Sequence, residues 1–306
     1  MSPLSLGFTL QPDEEFLERL APVLHQPSLI DYFEITPETT WWSPPSDDPA
    51  APLELQPNGF SAQFLRLGQK TGKWFVGHGV GLSLGGASRK DMARRRAWLA
   101  RLREDQRRFA FRWYTEHLGM TAPVGQALTL PLPVLMDSAS VSRVARRLRE
   151  LSTVVPLCGV ENTAQYFVLG AVLDEPRFIS RILRRARGHL LLDLHNLHTM
   201  AENFGFAAAD YLNRLELSQV IEIHLSGGSY SDGAWLPKQR VLRLDSHDSA
   251  VPEPVWRLFD EVLPRCPNLR GVTLERMEGT VAADDVPRIA EELRRMRAAL
   301  HRHGRD

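Results

Sequence analysis

Thiols are nearly absent: the 306 residues hold two cysteines, Cys158 and Cys266, far apart and outside any CxxC spacing. That excludes a disulfide scaffold and a thiolate zinc site, and it makes the reducing cytoplasm the expected compartment. A charge excess is absent too, with 37 basic against 37 acidic side chains. Balanced charge removes the electrostatic footprint of a nucleic-acid binder or of a protein held on an anionic membrane. No run approaches the roughly 18 apolar residues of a membrane helix. The first residues, Met1 to Leu10, lack the basic region and longer apolar run of a secretory signal. Low-complexity sequence and short-period repeats are also missing, so the fold must be read from hydrophobic patterning.

That patterning is an alternation of short apolar runs with longer amphipathic ones. There are eight short runs: Leu4 to Leu10, Ile30 to Thr36, Trp74 to Leu84, Trp113 to His117, Val155 to Asn162, Leu190 to Asn196, Val220 to Ser226 and Gly271 to Arg276. Between them fall helical stretches at Asp13 to Leu24, Arg89 to Phe109, Ser138 to Leu151, Thr163 to Arg187, Met200 to Leu215, Pro254 to Leu263 and Val281 to His303. Strand then helix, repeated, predicts an α/β fold: a single (β/α)8 TIM-type barrel over residues 1–306. One stretch departs from the rhythm. Residues 41–72 are rich in Pro, Ser, Asp and Gly and read as a long loop over the barrel mouth, with a short helix near Phe60 to Leu67. Residues 298–306 read as a frayed basic tail, and the arginines of the stretch from Arg89 to Arg108 read as a solvated barrel face.

Such barrels assemble their sites at the C-terminal ends of the strands. Polar residues that a core would not select stand at nearly every predicted strand end. They are Glu34 with Glu38 beyond it, His78, Glu116-His117, Glu161-Asn162, Asp193-Leu194-His195-Asn196, His224 and Glu275. Asp245-Ser246-His247-Asp248 follows the seventh strand, and His78 itself is fenced by the glycines of Gly77-His78-Gly79-Val80-Gly81. Singly, a carboxylate caps a helix and a histidine bonds a buried carbonyl. Together they crowd acids that cannot stay ionised in one opening unless cations neutralise them. Imidazole and carboxylate without thiolate suit iron, manganese or zinc, and the donor count exceeds the needs of one ion. A site for two or three metal ions is therefore expected. On extended segments Asp245 and His247 project to one side, as do Asp193 and His195, with Leu194 and Asn196 opposite. His195 is then either a ligand or a supporting group. His25 and His198 read as structural, and His301 and His303 belong to the tail.

These phrases resemble those of the DUF692 family, the multinuclear non-haem iron-dependent oxidative enzymes, which include the iron subunit of methanobactin biosynthesis. The resemblance rests on residues 77–85, Glu161-Asn162, Asp193 to Asn196, Glu222-Ile223-His224-Leu225-Ser226-Gly227 and Asp245 to Asp248, and runs from Leu6 to Glu275. It implies a xylose-isomerase-like barrel holding two or three irons of mixed ferrous and ferric state. Dioxygen would be the co-substrate, a side chain of a ribosomally made precursor peptide the target, and a separate partner protein would recruit that peptide. By matching position, the implied metal ligands are His78, His117, Glu161, Asp193, His224, Asp245, His247 and Glu275. Asn162, His195, Asn196, Glu34 and Glu38 would be ligands or supports, and Trp41 and Trp42 would contact the peptide or form a lid. Three departures stand out: Thr115-Glu116-His117 where Ser-Asp-His is commoner, His195-Asn196 where two asparagines are, and Arg276-Met277 where an acidic pair is.

Two other readings fit the same residues. Barrels of the xylose-isomerase kind gather similar donors for sugar isomerisation or phosphodiester hydrolysis with redox-inert metals. A barrel that had lost turnover would serve as a peptide-binding scaffold.

Overall fold

The computed structural model describes residues 4–45, 53–88, 91–122, 128 and 131–304. Eight strands close into a parallel barrel: β1 Ser5–Leu10, β2 Tyr32–Ile35, β5 Trp74–Gly79, β6 Tyr114–His117, β7 Cys158–Glu161, β8 His189–Asp193, β9 Val220–Leu225 and β10 Gly271–Leu274. They pair in chain order, and β1 meets β10 to close the ring. A small antiparallel hairpin, β3 Trp41–Trp42 with β4 Gln56–Pro57, follows β2. The helices are α1 Glu14–Leu24, α2 Gly59–Thr71, α3 Met92–Phe109, α4 Ser138–Ser152, α5 Glu175–Ala186, α6 Leu194–Phe204, α7 Ala208–Leu212, α8 Glu253–Val262 and α9 Asp285–Arg302. The predicted (β/α)8 architecture is the one observed.

Alternation along each strand divides the core. Outward residues such as Leu6, Phe8, Phe33 and Leu192 pack under the helices, where apolar burial supplies roughly 25 cal/mol per Å2. Inward, the barrel floor is a smaller cluster of Tyr32, Val76, Trp113 and Ile221, with the Tyr32 ring stacked 4.4 Å from that of Trp74. Glycine makes room for it. A Cβ at Gly7 would lie 2.3 Å from the Tyr32 ring, and one at Gly271 would lie 2.5 Å from its hydroxyl.

Several boundaries differ from the sequence expectation. Residues 41–72 are not simply a loop: they contain the hairpin and the full helix α2, capped by Asn58 and ended at Gly72, whose φ is 68°. The stretch from Thr163 to Arg187 is α-helical only from Glu175, after a 3-10 turn at Val172–Asp174, because Gly170 at φ 134° keeps the preceding chain out of the helix and Pro176 suits only a first turn. The third run ends as a strand at Gly79, and Ser83 at φ 61° turns the chain. The sixth ends at Asp193, since that carboxylate accepts the N–H of Asn196 and starts α6 immediately. The tail is no frayed end up to Arg302. Ala299 and Leu300 are buried, and Arg302 pairs with Asp260 at 2.9 Å.

Candidate metal centre

Inward alternation carries Glu34, His78, His117, Glu161, Asp193 and His224 to one layer at the C-terminal ends of their strands, and Glu275 follows β10 directly. The registers bring neighbours level: His117 lies opposite Glu161, and Asp193 opposite His224. Glu161 Oε2 lies 2.9 Å from His117 Nε2 and 3.5 Å from His78 Nε2. Across the barrel, His224 sits between two carboxylates, with Nε2 3.0 Å from Glu34 Oε2 and Nδ1 3.0 Å from Glu275 Oε2. Asp193 Oδ2 is 4.0 Å from the same Nδ1. The loop after β9 supplies Asp245 and His247, 2.7 Å apart, and His247 Nε2 lies 3.8 Å from Glu275 Oε2.

Three overlapping donor groups result: His78 with Glu161 and His224, Glu34 with His224 and Glu275, and Asp193 with His247 and Glu275. Within each, the donor atoms lie within 4.8 Å of one another. His224 and Glu275 are shared, so the groups form one continuous cluster. A cation suits it on an independent ground. Asp193 Oδ2 and His117 Nδ1 are buried with no hydrogen-bond partner among the described residues, and Glu161 Oε2, His224 Nδ1 and Glu275 Oε2 have only their ion-pair contacts and no well-directed hydrogen bond. Orphaned polar atoms of this kind are expensive unless an ion meets them.

The electrostatics point the same way. Burial pushes the Glu161 carboxyl up, but His117 and His78 overcome it and hold the group ionised. Burial pushes Asp193 up, and the nearby Glu161, Glu275 and Asp245 push it further, so positive charge beside it would be strongly favourable. His247 feels the opposite balance, with burial acting downward and Asp245 and Glu275 raising it to about 10. Against burial, imidazole thus holds Glu161, Asp245 and Glu275 charged, while burial and like charge push Asp193 and burial pushes Glu34 the other way.

Of the residues expected as ligands or supports, Asn162, Asn196, His195 and Glu38 take supporting places, and Asn196 and His195 face other ways than strand alternation suggests. Asn162 does not face the cluster: Nδ2 donates to the Asp193 carbonyl and Oδ1 accepts the Asp193 N–H, both at 2.9 Å, tying β7 to β8. Asn196, expected to point away, donates to Glu161 Oε1 at 3.0 Å, because α6 begins at Leu194 and turns it inward. His195 does not share the face of Asp193. It lies behind Asp245, with Nδ1 3.4 Å from Asp245 Oδ1 and Nε2 3.3 Å from an Arg243 nitrogen. Glu38 accepts the N–H groups of Val80 and Gly81 at 2.6 and 2.7 Å, so it shapes the loop after His78 rather than joining a donor group. Trp41 is buried against Trp98 and donates to Asp105, which removes it from any peptide surface, whereas Trp42 is exposed.

The glycines around His78 have a different purpose from the one their position suggests. A Cβ at Gly79 would lie 2.0 Å from the Tyr114 hydroxyl and 2.3 Å from Glu116 Oε2. They admit Tyr114 and Glu116, and Glu116 in turn accepts the Leu82 N–H at 2.9 Å. Thr115 completes the support, with Oγ1 2.9 Å from His78 Nδ1, leaving Nε2 for Glu161. The sequence reading missed Glu222. Two residues before His224 on the same strand, it accepts from Tyr32, Trp113 and Thr273 at 2.9, 2.6 and 2.7 Å beneath the cluster. Its place in the alternation was the available signal. Cys158 and Cys266 are both buried.

Barrel and donor cluster together define a (β/α)8 protein with a candidate metal centre at its mouth. Its fold is that of the xylose-isomerase-like barrels. A xylose isomerase domain protein from Planctomyces limnophilus superposes with a TM-score of 0.58 over 99% of both chains at 11% identity. Endonuclease IV from Thermus thermophilus does so with a TM-score of 0.52, over 95% of this chain and 99% of that one, at 17% identity. The particular family is set by sequence. Residues 5–301 match the family described as RiPP precursor modification enzyme MbnB/TglH/ChrH, and the chain belongs to it. A UPF0276 protein of Rhizobium meliloti is 32% identical over 229 residues, covering 74% of this chain and 70% of the relative. A UPF0276 protein of Bordetella pertussis is 37% identical over 189 residues, 61% of this chain and 63% of that protein's length, a little under two thirds. No helix among the described residues is long and apolar enough to cross a membrane.

Proposed function

We propose that this chain is an iron-dependent enzyme that uses dioxygen to modify a side chain of a ribosomally made precursor peptide. The observation that carries the reading is the continuous cluster of three His and carboxylate donor groups sharing His224 and Glu275. Its thiolate-free composition and its donor count suit two or three iron ions, held by His78, His117, Glu161, Asp193, His224, Asp245, His247 and Glu275. Iron bound there would supply one-electron and dioxygen chemistry. The chain's own groups prepare the place. Thr115 orients the His78 ring, Asn196 holds Glu161 Oε1 so that Oε2 faces both histidines, and Asn162 locks the backbone that aims Asp193. Such outer contacts govern metal affinity nearly as strongly as the ligands themselves.

Family membership supports a peptide substrate. So does the surface: the exposed side chains of Trp42, Leu135, Phe167, Leu169, Tyr230 and Trp235 lie on segments leaving the C-terminal ends of β2, β6, β7 and β9. This rim offers apolar contacts to a peptide or to a separate partner protein that delivers it. The test is metal analysis and oxygen consumption after anaerobic purification, with candidate precursor peptides added. Iron together with peptide-dependent oxygen uptake is the expected result. Zinc or magnesium alone, with turnover in the absence of oxygen, would overturn the oxidative reading.

A further inference from the structure

Outside the metal centre, the strongest feature is a groove of about 600 Å3 between α3 and α4. Its lining brings together Arg95, Arg96 and Arg103 from α3 with Arg146, Arg147 and Glu150 from α4. Five guanidinium groups thus face one carboxylate among the described residues of the lining. Taken singly, each helix is a solvated basic face, and only their packing turns two faces into one concave positive surface.

Two of these arginines are not free surface charges. Arg147 is 4% exposed and Arg95 is 6% exposed, and the Nε of each has no hydrogen-bond partner among the described residues. Glu150 is already shared between Arg95 at 2.9 Å and Arg146 at 3.1 Å. Burial, and then the neighbouring Arg95, push the Arg147 guanidinium down to about 10. Asp91 is the buried carboxylate that acts on Arg147, and Glu150 is the one carboxylate in the described lining, so the groove keeps a surplus of positive charge that an anion would balance. Carboxylates fit the forked guanidinium geometry.

The groove also has a fixed relation to the metal centre. Arg147 donates to the carbonyls of Ser83 and Leu84 at 2.7 and 3.0 Å, which ties the groove to the loop after β5, and Ala87 and Ser88 of that loop line it. A chain seated in the groove lies against the far end of the loop that follows His78. Met92 and Leu99 supply apolar surface between the arginines, and no aromatic ring is among the described lining residues. That composition suits a peptide mixing carboxylates with aliphatic side chains, and it lacks the stacking platform that single-stranded nucleic acid requires.

We propose that the groove between α3 and α4 binds an acidic segment of the precursor peptide, distinct from the residue presented to the metal centre. The proposal rests on the reading of the substrate as a peptide, and its test is read without turnover. The full chain is titrated into a fluorescein-labelled synthetic peptide of Glu, Leu and Ser, into its counterpart with Gln for every Glu, and into an oligothymidylate of equal charge. Fluorescence anisotropy should show binding of the Glu peptide that weakens with added salt, and little binding of the Gln peptide. Arg96→Glu combined with Arg103→Glu, both on exposed positions of α3, should weaken it about tenfold, or about 1.4 kcal/mol. Metal content and circular dichroism should match the parent. Equal binding of the Gln peptide, tighter binding of the oligothymidylate, or an unchanged affinity in the folded double variant would each overturn the proposal. A centre that proves not to hold iron leaves this binding unaffected, and loss of the groove leaves metal content unaffected, so the two readings fail separately.

Discussion

Asn196 donates to Glu161 Oε1 at 3.0 Å, while the other oxygen of Glu161 faces His117 and His78. Replacing it with alanine removes one hydrogen bond to a charged acceptor, a contact whose loss costs about 1.5–3 kcal/mol. The fold should hardly notice. The Asn196 backbone N–H still receives its cap from Asp193 Oδ1, so the start of α6 survives, and alanine is a better helix former than asparagine. What changes is that Glu161 can rotate its carboxylate away from the histidines. Second-layer losses of this kind lower metal affinity about 10- to 100-fold, which is about 1.4–2.7 kcal/mol and agrees with the value of the lost bond. The assay is anaerobic competition for ferrous ion, and separately for zinc, against a chromogenic chelator, with metal content per chain measured alongside. Asn196→Asp is the companion variant: it sets a carboxylate beside Glu161 Oε1 and should lose affinity at neutral pH, with its deficit relative to the parent at the same pH narrowing on acidification. An affinity within about twofold of the parent for Asn196→Ala would show that Glu161 is not positioned through this contact.

Other outcomes follow from the same structure. Saturating the centre at a hundred times its dissociation constant should raise stability by about 2.7 kcal/mol, and a chelator should remove that gain. Thermal unfolding checks it, and a melting point indifferent to both would count against a structural metal cluster. Glu222→Ala leaves the Trp113 indole N–H unpaired in the barrel floor and should destabilise the chain by about 3 kcal/mol in urea titration, with Glu222→Gln much milder. Less than about 0.5 kcal/mol for the alanine variant would remove the floor carboxylate from the stability argument. Burial raises the Glu175 carboxyl from 4.5 to about 7, with the Tyr211 hydroxyl pulling it down at 2.8 Å. A carboxyl raised on folding costs nothing below its unfolded value, and the full cost appears as pH rises through the folded one. Partial contact with solvent reduces that cost to about 1–2 kcal/mol. Glu175→Gln should therefore stabilise the protein by that amount at about pH 8 and by almost nothing at about pH 4. Equal effects at the two pH values would refute the assignment.

Much of this was legible along the chain. Eight strands, their C-terminal polar residues and the absence of usable thiolate are local properties, because strand alternation puts every second side chain on one face. The donor residues His78, His117, Glu161, Asp193, His224, Asp245, His247 and Glu275 are individually visible for that reason. Their supports were not. Asn196 reads as outward only while residues 193–196 are taken as strand, and one carboxylate cap at Asp193 reverses it. Asn162 reads as either a ligand or a support beside Glu161, and only the structure shows its amide occupied by the next strand's backbone.

The sequence by itself determined the barrel, the donor types and the family, since periodicity, composition and motif order all survive in one dimension. Only the tertiary structure decided which donors share a candidate ion site and which residues hold them in place. It also decided that α2 completes the ring within residues 41–72, and that two basic helices close on a groove beside the loop from His78. These depend on distances between residues far apart in the chain. Strand register and helix packing set those distances, and no local pattern records them.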